Sequence, residues 1–115
     1  MQVPLQLTFR GLAHSEALAS HLGRRAAKLE NLFHRIVSCH VVVRLTSRRA
    51  GKGNAYQVAI HLSLPGHVIL VTRTSSLEAA RAGDHAFDEC ARQLEDWVRR
   101  GRVRRHEERA IRNTP

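Results

Sequence analysis

From Val3 to Arg10 apolar and polar residues alternate without error, with Val3, Leu5, Leu7 and Phe9 on one side and Pro4, Gln6, Thr8 and Arg10 on the other. Successive strand side chains point to opposite faces, so this alternation predicts a strand with one buried face. Period two returns from Val37, where Val37, Cys39, Val41, Val43 and Leu45 face one way and Ser38, His40, Val42, Arg44 and Thr46 the other. It returns again in Tyr56, Val58, Ile60, Leu62 and Leu64 against Gln57, Ala59, His61 and Ser63. Leu64-Pro65-Gly66-His67 predicts a type II turn, since Pro fixes the first central residue and Gly accepts the positive φ of the second. A fourth strand, Val68 to Arg73, follows it.

Two stretches break this period. After Gly11, Ser15 can cap a helix whose apolar residues Leu18, Leu22, Ala26, Leu29 and Phe33 recur every three or four positions. After Ser75 and Ser76, a second helical stripe of Ala80, Phe87, Cys90 or Ala91, Leu94 and Trp97 or Val98 runs to Gly101. The predicted fold is α+β in the order β-α-β-β-β-α, a four-stranded sheet with two helices packed on one face. The free face would display His40, Arg44, Gln57, His61 and Arg73. Residues 1–101 form the expected domain. The tail 102–115 carries no apolar stripe and is expected to be flexible or to order only on binding.

The core must rest on aliphatic side chains, because 43% of the residues are hydrophobic and only 4% aromatic. The charge is lopsided: 19 Lys and Arg against 10 Asp and Glu leave +9, with a sequence pI near 11.4. The last 17 positions hold +5 of that charge. Such a balance favours a polyanionic partner. All basic residues except Lys28 and Lys52 are Arg, the better group for bidentate phosphate contacts.

Catalysis and metal binding find no residue set. The eight histidines show no His-Glu-x-x-His spacing, and Cys39 and Cys90 are lone core residues outside any Cys-x-x-Cys. Cys39 and His40, adjacent on a strand, point to opposite faces and cannot act as a thiolate pair. Gly51-Lys52-Gly53 lacks the first Gly and the Ser or Thr of a phosphate loop. Asp84, Asp88, Glu89, Glu95 and Asp96 on the second helix suit a solvated face. No enzyme, cofactor or metal is expected. The start Met1 to Phe9 lacks the basic head and continuous apolar stretch of a secretory signal, and no run approaches the roughly 18 apolar residues of a membrane span. The expected compartment is the cytoplasm.

What remains is electrostatic. Basic groups gather on the first helix (Arg24, Arg25, Lys28), at the hairpin tip between strands two and three (Arg48, Arg49, Lys52), and at the end of the second helix (Arg92, Arg99, Arg100, Arg102) with its tail. Together they offer several phosphate contacts, the term that dominates nucleic-acid affinity. Few aromatics are available for stacking on single strands, so structured RNA recognised by shape and backbone fits better.

The opening Met-Gln-x-x-Leu-x-x-Thr, Arg25-Ala26-Ala27-Lys28-Leu29-Glu30, Arg35 to Val42, the Leu64-Pro65-Gly66 turn and Ala91-Arg92-Gln93-Leu94 together resemble the family of ribosome hibernation-promoting factors and ribosome-associated inhibitor A. The likeness covers residues 1 to 100. It implies a stress- or stationary-phase translation inhibitor that binds ribosomal RNA of the small ribosomal subunit, in the channel of messenger and transfer RNA. It also implies that Arg24, Arg25, Lys28, Arg92, Arg99 and Arg100 clamp phosphates. The second reading is a general structured-RNA-binding or RNA-chaperone module, and the third a protein-binding regulator of transcription. The oligomeric state stays open, a homodimer through the free sheet face included.

Two departures from the family pattern stand out. Glu95 and Asp96 occupy positions where basic residues are usual, which predicts a shift of phosphate contacts onto Arg99 to Arg105. Ala80 and Gly83 replace an aromatic and an aliphatic residue, and Gly costs about 1 kcal/mol in a helix interior, so a frayed or differently packed start is expected. This chain is expected to lack the extra C-terminal domain of long family members, so pairing of ribosomes by that route is not expected.

Overall fold

The computed structural model describes residues 1–47 and 54–112. Six elements follow in order: β1 (Gln6–Arg10), α1 (Glu16–Leu32), β2 (Ser38–Ser47), β3 (Asn54–Leu64), β4 (His67–Ser75) and α2 (Ala79–Arg112). The strands form one mixed sheet in the order β1-β2-β3-β4, with β1 parallel to β2 and the other pairs antiparallel. This is the α+β fold that the two periodicities predict.

β1 is shorter than its alternation. Gln2 and Val3 donate backbone hydrogen bonds to the carbonyls of Ile36 and Val37, but Pro4 has no N–H to continue the ladder. The strand proper starts two residues later, and Val3 is exposed. Ser15 caps α1 as expected, its Oγ accepting from the Leu18 N–H at 3.2 Å. Gly66 takes φ +71° in the β3–β4 turn, the left-handed value that the Pro-Gly pair predicts.

The core lies between the sheet and both helices. Val41, Val43, Val58, Ile60, Leu62, Ile69 and Val71 line one sheet face, and Leu22, Ala26, Leu29, Phe87, Cys90 and Leu94 close over them. Each such large side chain contributes about 1.5–3 kcal/mol by leaving water.

The start of α2 differs from expectation for a packing reason. Its buried stripe runs through Ala79, Ala82, Gly83 and Ala86, while Ala80 is only half-buried. A Cβ on Gly83 would sit 2.6 Å from Cδ2 of the buried Leu22, so glycine lets the two helices approach closely. The small residues mark this contact rather than a frayed end. α2 also passes Gly101 and continues to Arg112, since one glycine among good helix formers costs only about 1 kcal/mol and no proline follows until Pro115.

Candidate nucleic-acid interface

Spacing on α1 divides its basic residues into two kinds. His21 and Arg25, four residues apart, face α2, whereas Arg24 and Lys28 point outward and are exposed. His21 Nε2 lies 2.7 Å from Asp84 Oδ1, and Arg25 Nη2 donates to the Asp84 carbonyl at 3.3 Å and pairs with the Asp88 carboxylate. The Arg25 guanidinium also stands 6.0 Å from the centroid of the Phe87 ring, within cation–π range. Arg25 therefore ties α1 to α2. Its side chain is only 22% exposed.

The acids on α2 do more than solvate a face. Glu89 accepts from Gln93 Nε2 at 2.9 Å, pairs with Arg92, and lies 3.4 Å from Arg73 Nη2. The Gln93 hydrogen bond and the two guanidinium groups hold its carboxyl below the ordinary value. Asp96 pairs with Arg99. These pairs differ in what they withhold from a phosphate. Arg92 and Arg99 are each 74% exposed, and exposed ion pairs contribute only about 0–1 kcal/mol, so either can exchange a carboxylate for a phosphate at little cost. Arg25 would have to leave two carboxylates and an aromatic ring.

Arg24, Lys28, Arg100 and Arg102 are exposed and pair with no carboxylate among the described residues. A groove between the helices brings Arg25 and Lys28 together beside Leu29 and Ala91. It continues past Leu32 and Leu94 to Arg99 and Arg102, with Glu95 on its wall. Arg100 turns to the other flank of α2, next to Gly66, His67 and Trp97. Arg48, Arg49 and Lys52 lie outside the described residues.

The uncovered sheet face carries His40, Arg44, Gln57 and His61, as the alternation predicts. His40 and His61 are register partners, and Thr8 Oγ1 lies 3.0 Å from His40 Nε2. Arg73 is a correction. It pairs in register with Val58, a core-facing residue, so it belongs to the helix side of the sheet, where it reaches Glu89. Arg10 and Arg44 are register partners at one corner of the open face, beside neutral Gln57 and Thr74.

The pairing of Asp84 and Asp88 with Arg25 was not legible in the sequence. Opposite charges at matching helical faces were the available signal, but which faces meet depends on the helix contact at Gly83. Cys39 and Cys90 are free and buried, and burial pushes their thiols up to about 11 and about 12 respectively. Among the described residues no three His, Cys, Asp or Glu side chains converge as a metal site, and no helix is long and apolar enough to cross a membrane.

The model of the family described as sigma 54 modulation protein / S30EA ribosomal protein matches residues 5–109. Among solved structures, a ribosomal subunit interface protein from Coxiella burnetii is similar at TM-score 0.71 and 18% identity, over 82% of this chain and 96% of that one. The N-terminal domain of Thermus thermophilus Protein Y is similar at TM-score 0.69 and 20% identity, over 84% and 99%. At these identities the structural likeness carries the fold. No curated protein sequence matches the chain.

Proposed function

The chain belongs to the sigma 54 modulation / S30EA ribosomal protein family, and from that premise we propose that it is a hibernation factor that inhibits translation by binding small-subunit ribosomal RNA in the channel of messenger and transfer RNA. The family is non-enzymatic and ribosome-associated. The observation that carries the finer reading is the set of cations Arg24, Lys28, Arg100 and Arg102, exposed on the two helices with no carboxylate partner among the described residues. Arg92 and Arg99, themselves exposed, join them by exchanging the carboxylates of Glu89 and Asp96 for phosphates. Arg25 holds the helix pair in place beneath them and contributes field more than contact. Arg48, Arg49 and Lys52 add to the same charge from between β2 and β3, and the basic stretch 102–115 extends it past residue 101. Ribosome association makes the cytoplasm the working compartment.

Backbone recognition of this kind predicts affinity that falls steeply with salt. The test is co-sedimentation of the purified protein with isolated small subunits across a salt series, with free structured RNA as competitor. Saturable binding that resists the competitor supports the ribosomal reading. Binding abolished by the competitor moves the protein to the general structured-RNA or RNA-chaperone class, and absence of binding at moderate salt sinks both.

A further inference from the structure

Beside the β3–β4 turn, on the flank of α2 opposite the helix groove, a cleft is lined by Gly66, His67, Trp97, Arg100 and Gly101. Its wall is an aromatic stack. The His67 and Trp97 rings lie within 6° of parallel with centroids 5.8 Å apart, and the Phe33 ring meets the indole edge-on at 5.3 Å. Phe33 anchors the indole on one side, so the stack is held rather than free to turn. The Pro65-Gly66 turn presents His67 to solvent, where it is exposed. Among the described residues a Cβ built on Gly66 or Gly101 would meet no side chain within 4 Å, so both rims of the cleft are open there. Arg100 is exposed beside it.

Parallel rings at the rim of an open cleft, His67 exposed and Trp97 half-buried, with a guanidinium alongside, suit a planar aromatic ligand that carries negative charge. Offset stacking is the favoured geometry of such rings, and arginine supplies both a phosphate contact and a second plane. We propose that this cleft binds one unpaired RNA nucleobase, stacked on His67 and Trp97, with Arg100 on its phosphate. The proposal rests on the RNA-binding reading above. It adds a stacking contact to a chain whose scarce aromatics otherwise suggest pure backbone recognition. The base comes either from ribosomal RNA or from free single-stranded RNA.

Trp97 is the chain's one tryptophan, so its fluorescence reports the site directly. Single-stranded hexaadenylate titrated into the full chain should quench it saturably, and a duplex of equal length should not. His67→Ala, at an exposed position, should weaken hexaadenylate binding about 5- to 150-fold, the loss of one base–aromatic stack of about 1–3 kcal/mol. Arg100→Gln should lower the salt slope by about 0.7. Absence of quenching, equal quenching by the duplex, or quenching undiminished in His67→Ala overturns the proposal. The same His67→Ala chain distinguishes the sources: weaker co-sedimentation with small subunits assigns the base to ribosomal RNA, and unchanged co-sedimentation with weaker hexaadenylate binding assigns it to free RNA. The two readings also fail separately, since small-subunit binding without quenching refutes only the base site, and quenching without subunit binding refutes only the ribosomal function.

Discussion

Replacing Arg24 and Lys28 together by Ala should flatten the salt dependence of small-subunit binding more than replacing Arg25. Each phosphate contact contributes about 0.7–0.9 to the slope of log affinity against log salt. Between about 50 and about 200 mM salt, one contact therefore accounts for about a threefold fall in affinity, and two for about tenfold. Arg24 and Lys28 are exposed without a carboxylate partner among the described residues, so the double variant should lose the whole tenfold increment. Arg25 already faces Asp84 and Asp88, so Arg25→Ala should change the slope by well under one contact while loosening the helix pair. Asp88→Asn gives the opposite sign: it removes a repelling charge, frees Arg25 and should steepen the slope. Co-sedimentation at five or six salt concentrations reads the parent, these three variants and a single Arg24→Ala variant. An Arg25→Ala slope reduced as much as that of a single Arg24→Ala variant would refute the division of these cations by their ion pairs.

Gly83→Ala should destabilise the fold, because overpacking against Leu22 costs about 1–3 kcal/mol and outweighs the helix propensity gain of about 1 kcal/mol. In a Leu22→Ala background the clash is gone and the same substitution should stabilise; urea denaturation of the four-member cycle reads this change of sign. Glu89→Gln should be less stable than the parent at pH 7, and the difference should close under acid. The sign follows from a carboxyl held below its ordinary value near 4.5: the stabilisation is present above that value and disappears as pH falls through the lowered one. Cys39 and Cys90, pushed up to about 11 and about 12, should resist alkylation at pH 8 until the chain is unfolded, as mass spectrometry of the alkylated chain would show.

The fold was largely legible because its signals are local. Alternation from Val37 to Thr46 and from Tyr56 to Leu64 fixes which faces those strands bury, and Ser15 and Pro65-Gly66 mark a helix start and a turn by their own chemistry. What escaped depends on relations between elements. Arg73 lies at the end of a short alternation, so its face was set only by its pairing with Val58. Gly83 reads as a weak helix position until Leu22 is seen against it. The basic residues were identifiable by type, and Arg92 and Arg99 have carboxylates three positions away, but Arg25 is held by Asp84 and Asp88, about sixty positions away. Trp97 fits the apolar stripe of α2, and nothing in its spacing reveals His67 stacked beside it.

Under the proposed function the helix layer faces the ribosomal RNA. Because both native thiols are buried, a cysteine introduced at an exposed position can carry a tethered hydroxyl-radical source without side labelling. Ala27 lies on α1 between Arg24 and Lys28, and Thr72 lies on the open face of the sheet; both are exposed. In complexes with small subunits, the source at Ala27→Cys should cut the ribosomal RNA strongly at a few clustered sites, and the source at Thr72→Cys should cut it weakly. Stronger clustered cleavage from Thr72→Cys, or none from either position in a complex that co-sediments, would contradict the account.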